Sequence, residues 1–185
     1  GMSMNAYNWV PAVNSKLPAA VRVMDCEEMP KDFHARFSAD SKTYSYDLCL
    51  APVLPPLSAG LAWHLPRQLD ADSLVKALSL LEGEHSFQAF SAKRGNETED
   101  TDYVRVLNQC ELVTTEMGYR ILFSGNGFLY KMARLLTGAA VYAAQGRLRL
   151  DDLNSLLDQA PDLPHGRSPF CAPPDGLILD HVTYG

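Results

Sequence analysis

Apolar and polar positions change period along this chain, and each change marks an element. Phe128, Leu129, Met132, Leu135, Leu136, Ala139, Ala140 and Ala143 recur at helical spacing. That stripe predicts a core-facing helix ending at Gly146. Asp70 is a cap for another helix, with Leu74, Ala77, Leu78 and Leu81 as its stripe and Gly83 as its stop. Asp151 caps a short third helix through Leu153, Leu156 and Leu157. From Thr43 to Leu50 the period falls to two, which puts Tyr44, Tyr46, Leu48 and Leu50 on one face of a strand. Val104 to Leu112 and Tyr119 to Phe123 predict two further strands, with Met117-Gly118 near their turn. Gly176 to Tyr184 predicts a last strand, and Val21 to Met24 a short early one. Tyr7 to Leu17 is apolar without a clear period and reads as the tail of a helix.

The breaks are equally informative. Pro52, Pro55 and Pro56 mark a loop, and Lys93 to Asp102 is polar and reads as exposed. Residues 160–175 hold five prolines, so an irregular connection is expected there. Strands and helices mix without β-α-β alternation. The expected class is α+β, a largely antiparallel sheet with helices packed on one face.

One charge interrupts the long apolar stripe. Arg134 lies within a helical turn of it, between Met132 and Leu135. Its guanidinium must reach water or find a carboxylate, because a buried, unpaired charge is too costly to keep.

Composition narrows the classes. A chain of 185 residues fits one domain, or one domain with a short lead, and 46% hydrophobic content argues against disorder. There is no apolar run of the roughly 20 residues needed to span a bilayer, and no signal-peptide pattern. Cys26, Cys49, Cys110 and Cys171 are scattered, as are the five histidines, so neither a zinc site nor a disulfide framework is expected. Reduced cysteines in the cytoplasm are the default expectation. A net charge of −6 weighs against a chain that wraps nucleic acid by itself. Gly1 ahead of Met2 matches the residue that tag removal leaves, with Met2 or Met4 as the expected start.

Four stretches, in order, carry a family likeness. They are MPKDFHARFSADSKTYSYDL (Met29 to Leu48), GEHSFQAFSA (Gly83 to Ala92), GNGFLYKMARLLTG (Gly125 to Gly138) and APPDGLILDHVTY (Ala172 to Tyr184). They resemble the C-terminal half of TruA-type tRNA pseudouridine synthases. The third is similar to the family's G-N-x-F-L-x-x-M-x-R-x-x-x-G helix motif. The likeness runs from roughly Asn14 to Tyr184, nearly the whole chain.

The resemblance implies one α/β half of the pseudouridine synthase fold over residues 21–185, with residues 1–20 as a lead segment left from the connection between halves. It implies conversion of uridine to pseudouridine in the anticodon arm of tRNA, without a cofactor or metal, by a homodimer. The family's nucleophile is an aspartate in a G-R-T-D-x-G-V-H-A stretch that nothing here matches. Asp100 and Asp175 lack the flanking arginine and glycine. The chain alone is therefore expected to be inactive.

Two supporting residues remain. Arg134 matches the arginine that pairs with the catalytic aspartate, a role suited to a guanidinium fork. Tyr44, which follows Lys42 at the family spacing, matches the tyrosine that packs against the target base and assists proton removal, although from alternation alone it reads as one of two core tyrosines. Lys42, Lys93, Arg94 and Lys131 are candidate phosphate contacts, or simply solvated surface charges. With its partner absent, Arg134 is expected to face an open groove or to pair with a substitute acid. One departure counts against RNA: Glu97, Glu99, Asp100 and Asp102 form an acidic loop that would repel phosphate. Other readings stay open: a non-catalytic remnant that binds RNA or protein, one chain of a split enzyme whose other chain carries the N-terminal half, or an unrelated α+β module.

Overall fold

The computed structural model describes residues 5–67, 69–95, 98, 100–158 and 168–185. It divides into two compact units, Gly1–Ser38 and Ala39–Gly185.

In the first unit, helix α1 (Ala6–Asn14) starts at Asn5, whose side-chain oxygen accepts from the Tyr7 amide. The strand expected at Val21 to Met24 does not form. Asn14 explains why: its carboxamide accepts from the Val23 amide at 2.9 Å and donates to the Val23 carbonyl at 2.7 Å. The backbone groups a ladder would need are already used. The P-x-D-F-H-A-R segment is a turn, in which the His34 ring accepts from the Arg36 and Phe37 amides and His34 and Ser38 bond reciprocally.

The second unit is an α+β domain. Its strands are β1 (Ala39–Cys49), β2 (Trp63–His64), β3 (Gly83–Ser86), β4 (Val104–Thr115), β5 (Gly118–Gly125) and β6 (Leu177–Tyr184). Their order is β2-β1-β5-β4-β3, with β6 also paired to β1. All pairings are antiparallel except that of β1 with β2. Strand β4 turns into β5 at Glu116-Met117, where Gly118 has φ +153°; a side chain there would strike the Leu48 carbonyl.

Three helices cover one face: α2 (Ala71–Leu81), α3 (Met132–Ala144) and α4 (Leu150–Asp158). Helix α2 starts and buries its stripe as its sequence predicts, with Asp70 accepting from the Asp72 and Ser73 amides. Helix α4 differs slightly: Asp151 lies inside its first turn rather than before it. The core joins Tyr46 and Leu48 of β1, Leu107 of β4, and Ile121 and Phe123 of β5 to the apolar sides of these helices.

Helix α3 departs from its predicted stripe in two ways. Phe128 and Leu129 precede it, separated by Lys131, which sits at φ +60°. Within the helix every residue is buried except Arg134 and Tyr142. The second buried side is due to a strap formed by the residues before β6. The strap passes so close that a Cβ on Gly138 would collide with the Phe170 carbonyl and lie 3.0 Å from the Ala172 amide nitrogen.

Candidate active site

Arg134 is half-buried on the strap side of α3. Its Nε donates to the Ala172 carbonyl at 2.8 Å, and the Ala172 amide donates back to the Arg134 carbonyl at 3.0 Å. The substitute acid is not found: among the described residues no carboxylate lies within ion-pairing distance of the half-exposed side chain. A main-chain carbonyl holds it instead. The bond uses Nε and fixes the guanidinium plane, while among the described residues the two terminal nitrogens meet no acceptor, which leaves their donors for another one.

Ala172 leads directly to the aromatic part of the site. The next residue, Pro173, accepts from the Tyr46 hydroxyl at 2.8 Å. Tyr46 is fully buried, and burial pushes its phenol far above the ordinary value. The Arg134 charge opposes that rise, and Asp175 and Cys171 add to it. The phenol is thus a neutral donor that ties β1 to the strap.

Tyr44, two residues earlier on the same face of β1, is only half-buried. It stands opposite Phe123 on β5 and Leu179 on β6. Its ring meets Phe128 edge-on, with centroids 4.7 Å apart and planes at 71°. Such a pair holds a ring in place while leaving part of it accessible. Phe128 belongs to the short link between β5 and α3, so strand and helix meet at this pair.

The basic candidates divide. Arg94 and Lys131 come together over one ring: the Arg94 guanidinium lies 4.7 Å from the Tyr130 centroid and the Lys131 ammonium 5.5 Å. Lys42 lies on β1 between Gly125 and Val182, and Lys93 is exposed. Of the acidic loop, Glu97 and Glu99 fall outside the described residues. Asp102 is engaged locally, with Arg105 at 3.3 Å and the Val104 amide at 2.8 Å.

Residues 77–185 match the sequence model of the tRNA pseudouridine synthase family. The chain is 47% identical over 182 residues to the tRNA pseudouridine synthase A of Akkermansia muciniphila, covering 97% of this chain and 68% of that protein.

The chain is a member of the tRNA pseudouridine synthase family. It is also 37% identical over 175 residues to tRNA pseudouridine synthase A of Methylacidiphilum infernorum, covering 94% of this chain and 66% of the relative. Against tRNA pseudouridine synthase A 2 of Clostridium perfringens the figure is 33% over 177 residues, with coverage of 96% and 70%. The chain spans about two thirds of the length of these family members.

Four residues take part in ways that the sequence pattern does not signal. Phe128 falls at the spacing of the helical stripe although it precedes the helix, and Tyr130 gives no periodic signal. The carbonyls of Ala172 and Pro173 act through the main chain, which leaves no side-chain signature.

Proposed function

We propose that this chain provides the C-terminal part of the active site of a tRNA uridine isomerase, with the aspartate nucleophile supplied by a segment outside these 185 residues. The supporting observation is Arg134: fixed through Nε to Ala172, it keeps its terminal nitrogens for a carboxylate that the described residues do not supply. In the reaction the C1′–N1 bond of uridine breaks, the base turns, and a C1′–C5 bond forms. C5 loses a proton and N1 gains one, so atoms and electrons balance without a redox partner. Arg134 holds the incoming carboxylate ionised and in one orientation. Tyr44 packs against the flipped base, a contact that takes over some of the stacking lost on leaving the helix.

Without that aspartate the chain is inactive by itself. Anticodon-arm uridines as targets, a homodimer and a cytoplasmic location rest on the family likeness and form part of the same proposal. A second reading, a non-catalytic remnant, is favoured by the net charge of −6.

The deciding experiment is a pseudouridylation assay on unmodified tRNA transcripts. It compares this chain alone, the chain mixed with a separate G-R-T-D-bearing segment, and the chain extended N-terminally by that segment. Activity only with the segment supports the proposal, and the mixture tells a split enzyme from a continuous one. Activity of the chain alone would show that its own residues include the nucleophile. No activity in any arm would favour the remnant.

A further inference from the structure

Two positive charges share one exposed ring just ahead of α3. Tyr130 is 40% exposed, and both the Arg94 guanidinium and the Lys131 ammonium lie within 6 Å of its centroid. The negative face of an aromatic ring attracts cations and so offsets part of the repulsion between two like charges. Main-chain geometry holds the arrangement together. The Tyr130 carbonyl accepts from the Ala92 amide at 2.9 Å, which ties the segment carrying Arg94 to the one carrying Tyr130 and Lys131. Tyr130 and Lys131 fill the two positions that the F-L-x-x-M-x-R pattern leaves unspecified.

We infer that Arg94 and Lys131 form a phosphate clamp for the RNA backbone, with Tyr130 as its positioning residue. The ligand is a phosphodiester of the substrate strand. Lys131 is three residues before Arg134, and Phe128, the partner of Tyr44, is three residues before Lys131. A phosphate held at this junction would therefore belong to a nucleotide close to the flipped uridine. Guanidinium and ammonium serve such a clamp in different ways, since the planar fork grips two oxygens and the ammonium adds a point charge.

The inference rests on the RNA-binding reading, and the salt dependence of binding tests the two separately. Unmodified tRNA transcript is titrated with the full 185-residue chain over a range of salt concentrations. Each lost phosphate contact should lower the slope of log affinity against log salt by about 0.7–0.9. Arg94→Gln and Lys131→Gln are expected to lower the slope by that much and weaken binding at fixed salt. Tyr130→Phe keeps the ring and should match the parent, while Tyr130→Leu should behave like loss of a cation. Unfolding midpoints of all four variants check that the fold is retained, since a merely structural effect would leave the salt slope unchanged. If the parent binds and the variants share its slope, the clamp is overturned and the RNA reading survives. If the parent does not bind tRNA, the clamp on this chain falls, and the active-site reading is decided by the pseudouridylation assay on the extended protein.

Discussion

Arg134 and Ala172 are bonded to each other twice, side chain to carbonyl at 2.8 Å and amide to carbonyl at 3.0 Å. The doubled link fixes the strap against α3 at the residue proposed to receive the nucleophile. It requires a close approach of two backbones, and Gly138, one helical turn after Arg134, permits it. The family's R-x-x-x-G spacing thus has a steric meaning here: the arginine and the missing Cβ face the same strap.

Gly138→Ala is expected to destabilise the domain despite alanine's better helix propensity. The new methyl would meet the Phe170 carbonyl and the Ala172 amide, which are backbone atoms with no rotamer to change. Overpacking of this kind costs about 1–3 kcal/mol or more, against a propensity gain of about 1 kcal/mol. Denaturant unfolding should show a lower midpoint with an unchanged slope. An unchanged midpoint would mean that the strap yields easily and does not fix Arg134.

Tyr44 and Tyr46 share one strand face but should respond oppositely to substitution. Tyr46→Phe removes the hydrogen bond to Pro173 from a fully buried ring, so a stability loss of about 0.5–1.5 kcal/mol is expected. Tyr44→Phe keeps the edge-on contact with Phe128 and should leave stability nearly unchanged. Tyr44→Ala, assayed in a protein extended by the G-R-T-D segment, should lower pseudouridine formation through loss of base packing. Stability is read by thermal unfolding and activity by product yield. If Tyr46→Phe proves neutral and Tyr44→Phe destabilises, the assigned roles are reversed.

These residues also mark what a sequence can and cannot reveal. Helix α2 is legible because its cap, its stripe and the glycine after it are all local. Strand β1 is legible from alternation that separates Tyr44 and Tyr46 from the residues between them. Strand β2 is not, since two residues, Trp63 and His64, carry no period and pair only with distant Leu48 and Cys49. The burial of α3 on a second side depends on a strap more than thirty residues away. Arg134 itself stands out as a charge in an apolar run. Its partner does not, because every residue has a carbonyl.

The four cysteines are free and differ in environment, which predicts an order of modification. Burial, with Glu82 adding to it, pushes the Cys110 thiol up to about 12, whereas Cys171 is exposed beside Ala172. At pH ~8 the thiolate fraction of Cys110 is roughly one in ten thousand. Iodoacetamide should therefore modify Cys171 well before Cys110, as read by peptide mass spectrometry over time. Cys110 should become reactive only under unfolding conditions. Early labelling of Cys110 in the folded chain would mean that β4 opens locally.

Asp70 gives a pH test of the helical layer. One carboxylate oxygen accepts from the Asp72 and Ser73 amides and the other from the Ser73 hydroxyl at 2.6 Å, while the Asp70 amide bonds the Ala144 carbonyl at the end of α3. The side-chain bond from Ser73 does most to hold the carboxyl below its ordinary range, followed by the Ser73 amide, with the Asp72 amide and Lys76 assisting. Because the folded-state value is depressed, the charged form stabilises the fold above the unfolded value of about 3.9. That contribution fades as pH falls through the lower, folded value. Asp70→Asn keeps an acceptor for the amides but lacks the charge, so its unfolding midpoint should lie below the parent's near neutral pH and approach it on acidification. Asp70→Ala should remain lower over the whole range. Circular dichroism melts from pH ~7 down to pH ~2.5 measure both differences. An Asp70→Asn offset that stays constant across the series would show that the cap works through its hydrogen bonds alone, without help from its charge.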